Sequence, residues 1–156
     1  MWDFRHIHSP PDLTAVLDLY DRKVIGRAFS TGMETVHTAI PALQTACTNR
    51  KAQEGLIFHS DRGARYCAKA FRETLRERCP SVRQSMRRKG NCRDNACAES
   101  FFKTLKRELE TLDGKHAAEE VRQSVFMYVE AYYNRIRMHS VLDYVAPNVF
   151  NGGQVA

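Results

Sequence analysis

Two carboxylates in this chain stand where rigid elements would aim them. Asp61 follows the apolar run Gly55-Leu56-Ile57-Phe58-His59 and precedes Arg62-Gly63, the pattern of a buried strand opening into a tight turn. Glu99 sits at the start of a helical pattern beginning at Ala96. Lys103 and Lys106, four and seven residues further on, fall on the same helical face. Metal-dependent phosphoryl transfer uses this kind of pairing, because divalent cations take hard oxygen donors and need separate rigid supports to converge on them. Each residue also has a plain structural reading: Asp61 as a turn or cap residue, and Glu99 as part of a solvated face with an ordinary ion pair. His59 points to the same side of its strand as Asp61. A hydrogen-bonding role is its simpler reading, and a metal or base role the alternative.

The elements that would carry these residues follow from periodicity. Leu13 to Phe29 reads as two extended runs with a turn at Tyr20-Asp21-Arg22-Lys23, a hairpin. Phe4 to His8 is expected as a preceding edge strand, separated from the hairpin by Ser9-Pro10-Pro11-Asp12. Val36, Ala39, Ile40, Leu43 and Ala46 recur at helical spacing and predict a helix from Met33 to about Thr48. Helix returns after Asp61, with Phe71 and Leu75 about one turn apart, and Ser81 to Ser85 is expected as a short strand. The segment Arg87 to Asn95 reads as a polar loop, capped into a helix from Ala96 to about Leu109. A last helix is expected from about Ala117 to Tyr133, and the Pro- and Gly-containing tail beyond it is expected to be irregular. Strands first, then alternation, then helices gives an α/β class with helices flanking a mixed five-stranded sheet.

Charge and composition narrow the partners. The 156 residues fit one domain, with 24 Lys and Arg against 18 Asp and Glu. Between positions 62 and 93 lie eleven basic residues and only Glu73 and Glu77 as acids, so the surplus is concentrated and favours a polyanionic partner. Arg87, Arg88, Lys89 and Arg93 surround Gly90-Asn91 in the polar loop, suited to phosphate contact or simply to solubility. Tyr132, Tyr133, Asn134, Arg137 and His139 form a polar-aromatic group that would either stack on nucleic acid or dock the tail on the core. The five cysteines contain no CxxC pair, and Cys92 with Cys97 lacks a second ligand pair for zinc. Reduced thiols, a cytoplasmic and nucleoid-associated location and no membrane segment are the expectations.

Three blocks then carry a resemblance: Phe58 to Tyr66 (FHSDRGARY), Ser85 to Leu109 (SMRRKGNCRDNACAESFFKTLKREL) and Tyr132 to Phe150 (YYNRIRMHSVLDYVAPNVF). In order, they resemble the bacterial insertion-sequence transposases of the OrfB type, whose core is like that of retroviral integrases. The resemblance spans nearly the whole chain. It implies a ribonuclease-H-like fold, residues 1–135 forming the catalytic core and 136–156 a C-terminal tail. It further implies a DDE triad binding two Mg²⁺, with Mn²⁺ as a substitute, and DNA 3′-end cleavage followed by strand transfer. Carried over by motif, Asp61 is the second aspartate, Glu99 the glutamate, and Lys106 a DNA-contacting residue, with Lys103 and the 87–93 loop beside it. Trp2-Asp3 ahead of Asp18-Leu19-Tyr20-Asp21-Arg22 marks Asp3 as the first aspartate; Asp12 and Asp18 are the fallbacks. The interval from Asp3 to Asp18 is shorter than the family pattern. The 37 residues between Asp61 and Glu99 are slightly more than its usual spacing, with the excess near Cys79-Pro80-Ser81-Val82.

Expected partners are the DNA of element ends and target, further copies of the chain, and a helix-turn-helix subunit or N-terminal domain to recognise terminal repeats. The alternatives are an inactive DNA-binding or assembly remnant of a transposase, and a ribonuclease-H-like nuclease that hydrolyses without joining.

Overall fold

The computed structural model describes residues 1–7, 12–30, 37–61, 63–86, 96–109 and 115–152, with backbone alone for residues 2, 4–7, 151 and 152. Five strands, β1 (Trp2–Ile7), β2 (Asp12–Asp18), β3 (Val24–Ser30), β4 (Ile57–Ser60) and β5 (Arg83–Met86), form one sheet in the order β3-β2-β1-β4-β5. The first three are antiparallel neighbours, whereas β4 runs parallel to both β1 and β5. The sheet is therefore mixed and five-stranded, as the sequence predicts. One correction concerns β1, which is the central strand and not an edge. The hairpin covers one side of it, and the parallel β4, brought back by the crossover through the first helix, covers the other.

Alternation along β2 divides the core. Val16 joins Ile25, Phe58, Phe71 and the helix α1 (Ala39–Asn49) on one face. Leu13, Ala15 and Leu17 pack on the other face against α4 (Ala96–Glu108) and α5 (Ala118–Met127). Alanines at 39, 42 and 46 let α1 lie close on β3, so close that a Cβ added at Gly26 would come within 2.3 Å of the Ala42 carbonyl oxygen. Glycine is required there by space.

The helical segment after Asp61 is split into α2 (Ala64–Cys67) and α3 (Lys69–Arg78) by an extended Ala68. Phe58, Tyr66 and Phe71 pack as a mutual ring triad with centroids 5.3 to 6.4 Å apart, tying the end of β4 to both helices.

Two further expectations are corrected. The last long helix ends as an α-helix at Met127 and continues as a π-helix over Tyr128–Tyr133. The widened turn lets Tyr128, Val129, Tyr133 and Asn134 all reach the interior, which 3.6-residue periodicity does not anticipate. The tail is ordered where described. A bridge between His139 and Val145 closes a turn whose Asp143 and Tyr144 adopt left-handed backbone, and α6 (Pro147–Gly152) follows. Leu142 and Ala146 are buried. Pro147 begins α6 and does not break it, because a first-turn proline has no intrahelical N–H to lose.

Candidate active site

Strand register sets two of the three proposed carboxylates. Asp3 pairs with Leu17 across β1 and β2 and with His59 across β1 and β4. Directly paired residues share a face, so Asp3 and His59 lie on the Leu17 side, the side covered by α4 and α5. Asp61 lies two residues beyond His59, just past the carboxyl end of β4. Asp3 is fully buried, while Asp61 is half-buried.

A tight turn follows Asp61. Its Oδ1 accepts the backbone N–H of Gly63 at 2.8 Å, and a Cβ at position 63 would meet the same oxygen at 2.8 Å. The missing side chain at 63 thus leaves room for the aspartate carboxylate.

Glu99 lies on the covering helix. It occupies the first turn of α4, next to buried Ala98 and two residues before buried Phe101, and α4 packs directly on β1. A carboxylate in a first helical turn is also favoured by the helix dipole. Lys103 and Lys106 follow on the same helix and are exposed. Asp3 therefore lies on the sheet face that α4, the helix bearing Glu99, covers, and Asp61 follows the end of the neighbouring strand β4. Among the described residues, no three His, Cys, Asp or Glu side chains stand close enough to hold one metal ion together. The donor set nonetheless fits cations of the magnesium class, since it offers hard oxygens on rigid elements and no thiolate. Arg87, Arg88, Lys89 and Arg93 lie outside the described residues.

His59 is buried; its Nδ1 lies 3.2 Å from the Ser85 hydroxyl on β5, and its Nε2 has no partner among the described residues. Of the fallback aspartates, Asp12 starts β2 opposite Ser30 and has the strand parity of Val16, which puts it on the α1 face, opposite Asp3. Asp18 and the wholly buried Asp21 together clamp Arg50, each 2.5 Å from one of its guanidinium nitrogens. These bonds raise the Arg50 pKa even against the opposing effect of burial. Asp18 and Asp21 thus hold the hairpin turn to the end of α1, a structural task that charge pattern alone does not distinguish from a catalytic one.

The polar-aromatic group near the end of the chain divides. Tyr133 is buried, with its ring edge-on to Phe101 at 4.9 Å, while Tyr132 is exposed. Asn134 is buried; its Oδ1 accepts the Val24 N–H at 3.0 Å and its Nδ2 donates to the Val24 carbonyl at 3.1 Å. Docking onto the core is the role these contacts give Tyr133 and Asn134.

Beside them, a cleft of about 490 Å³ is lined by Arg22, Cys97, Ser100, Arg137 and His139, with Leu17 at its base. Burial, then Arg137, then Arg22 push the His139 pKa down to about 4, so the ring is neutral at neutral pH. Sequence pattern does not single out Arg22, which takes left-handed backbone in the hairpin turn. Its place in the turn next to Asp18-Leu19-Tyr20 was the available signal.

Residues 2–92 match the family model described as integrase core domain, and residues 80–147 match a second model of the same description. The chain belongs to the integrase core domain family. It is similar to the transposase for insertion sequence element IS904 of Lactococcus lactis subsp. lactis (strain IL1403), 42% identical over 138 residues, covering 88% of this chain and 53% of that protein. It is likewise similar to transposase InsF for insertion sequence IS3A of Escherichia coli (strain K12), 41% identical over 146 residues, covering 92% of this chain and 49% of that protein. The chain thus spans about half the length of the curated relatives it matches.

Its fold is similar to the catalytic core domain of BIV integrase, with a TM-score of 0.71 at 12% identity over 98% of this chain and 94% of that one. A chain of the simian T-cell lymphotropic virus intasome in complex with PP2A regulatory subunit B56 gamma gives 0.73 at 13% identity, covering 99% of this chain and 55% of that one. The ribonuclease-H-like α/β architecture is accordingly the fold of this protein.

Proposed function

We propose that this chain is the catalytic core of a DNA transposase, acting on phosphodiesters at the ends of a mobile element by 3′-end cleavage and strand transfer. The observation that supports the reading is the pairing of Asp3 with His59, two residues before Asp61, on the central parallel strands, with the helix that carries Glu99 packed against β1. Membership of the integrase core domain family and similarity to insertion-sequence transposases support it.

In this reading Asp3, Asp61 and Glu99 hold two Mg²⁺, with Mn²⁺ able to substitute. Such cations would supply Lewis-acid stabilisation of the charge that develops on the attacking and departing oxygens. Asp3, fixed by its strand, and Asp61, seated in its turn, act as ligands with little freedom to reorganise. Glu99 closes the set from α4. Lys103 and Lys106 bind the DNA backbone through charge and leave sequence unread, and Arg87, Arg88, Lys89 and Arg93 would extend that contact. Sequence recognition then falls to a helix-turn-helix subunit or domain, and synapsis of two ends to further copies of the chain.

The test is incubation with labelled duplexes carrying the element's terminal repeats and Mg²⁺, with and without the helix-turn-helix polypeptide. Joined products alongside 3′-end cleavage support the transposase reading. Cleavage with no joined product would point to a nuclease, and no product under either condition to an assembly remnant.

A further inference from the structure

We infer that Cys47 and Cys79 form a modification site: a dithiol that peroxide converts to an intramolecular disulfide, stapling α1 to the end of α3. The two sulfurs lie 3.2 Å apart, Cys47 near the end of α1 and Cys79 just past Arg78. A disulfide needs about 2.05 Å, so closure requires the sulfurs to approach by about 1 Å. Cys79 is buried in the same apolar cluster against which Cys47 packs, whereas Cys67 lies against Met86 and Cys97 against Arg22.

Access comes from a second cavity of about 300 Å³, separate from the carboxylate face, that both cysteines line together with Lys51, Arg78, Pro80 and Ser81. It opens at the junction where α1 and α3 both end, so a small oxidant reaches the sulfurs without unfolding the sheet. Lys51 and Arg78 supply positive charge beside the pair, and Arg78 favours the Cys47 thiolate. Burial, then the bond to Cys79, outweigh that and push the Cys47 thiol up to about 12. The Cys47 thiolate is scarce at neutral pH, so its oxidation is slow and demands sustained peroxide.

The chemistry balances in two steps. One sulfur, as thiolate, attacks a peroxide oxygen, the O–O bond breaks, and a sulfenic acid and water result after proton uptake. The second thiol attacks the sulfenic sulfur, the S–O bond breaks, and a second water leaves with the thiol proton. Two thiols and one hydrogen peroxide thereby give one disulfide and two waters. Both cysteines lie on the α1 side of the sheet, opposite Asp3 and Glu99.

The experiment treats the full chain with excess hydrogen peroxide, alkylates remaining thiols, and maps peptides by mass spectrometry without reduction. The expected result is a cross-linked peptide pair containing Cys47 and Cys79, 2 Da below the sum of its thiol forms and released by dithiothreitol. The melting temperature should rise by on the order of 10 °C, because the bond closes a loop of roughly thirty residues. Cys47→Ser should abolish both changes. A variant with serine at positions 67, 92 and 97 should retain them. Recovery of Cys47 and Cys79 as alkylated thiols while exposed Cys67 is oxidised would overturn the inference. So would either sulfur appearing as sulfinic acid or bonded to a different cysteine. If Cys47→Ser does not fold, the wild-type peptide map alone decides.

Discussion

Replacing Asn134 by alanine removes both side-chain bonds to Val24, one at 3.0 Å and one at 3.1 Å, from a position buried from water. Val24 opens β3 and is itself buried, so its N–H and C=O would each be left without that partner. At about 1–3 kcal/mol for each of the two orphaned groups, the loss should come to about 2–6 kcal/mol. For a domain of this size that lowers the melting temperature by roughly 5–15 °C. Asn134→Asp sharpens the test: it keeps an acceptor for the N–H but sets a carboxylate oxygen against the Val24 carbonyl. Burial and that repulsion raise the new group's folded pKa above its unfolded value of about 3.9. The folded variant then binds more protons than the unfolded one between those two values. Its penalty is complete above the folded pKa and fades as pH falls towards 4. Urea unfolding of both variants from pH 7 to pH 4 measures this. An alanine variant within 1 kcal/mol of wild type, or an aspartate variant whose deficit ignores pH, would refute the clamp.

Other substitutions probe other parts of the molecule. Gly26→Ala should cost about 1–3 kcal/mol or more in urea unfolding, since its Cβ would press on α1 backbone at 2.3 Å and 2.8 Å. Gly63→Ala pushes only on the movable Asp61 oxygen, so stability should change by under about 1 kcal/mol while the joining rate falls about tenfold or more. The depressed His139 pKa means that the unfolded chain binds its proton first on acidification; stability should decline from about pH 6.5 through pH 4, and His139→Gln should flatten that part of the profile. Lys103→Ala and Lys106→Ala should weaken DNA binding and make log K against log salt shallower by about 0.9 for each duplex phosphate that is no longer neutralised, read by fluorescence anisotropy.

Much of this architecture was legible in the chain because period and punctuation agree with the fold. The hairpin turn, the strand before Asp61 and the helix from Ala96 all follow from apolar spacing bounded by Gly, Asp and Asn. β1 reads as an edge strand because pairing order is a non-local property: nothing within Trp2–Ile7 reports that β4 returns alongside it. The π-helix escaped for a related reason, as the buried set Tyr128, Val129, Tyr133 and Asn134 has no 3.6-residue period. At the site, Asp61 and Glu99 were signalled by local pattern. Asp3 was signalled only through resemblance, since a lone aspartate near a chain start has no local mark of burial. Asp18 and Asp21 show the converse, because a charged turn reads the same whether it meets a cation or the guanidinium of Arg50.

The most direct test of the carboxylate set compares Mg²⁺-dependent joining of terminal-repeat duplexes by wild type, Asp3→Asn, Asp61→Asn, Glu99→Gln and the Asp61→Asn/Glu99→Gln double variant, each confirmed folded by circular dichroism. Residues that act as one unit lose function non-additively. Each single substitution should therefore reduce joining by about 10³-fold or more, with the double variant no worse than the singles. A folded Asp61→Asn variant that joins DNA within about tenfold of wild type, a barrier change of under about 1.4 kcal/mol, would contradict the account.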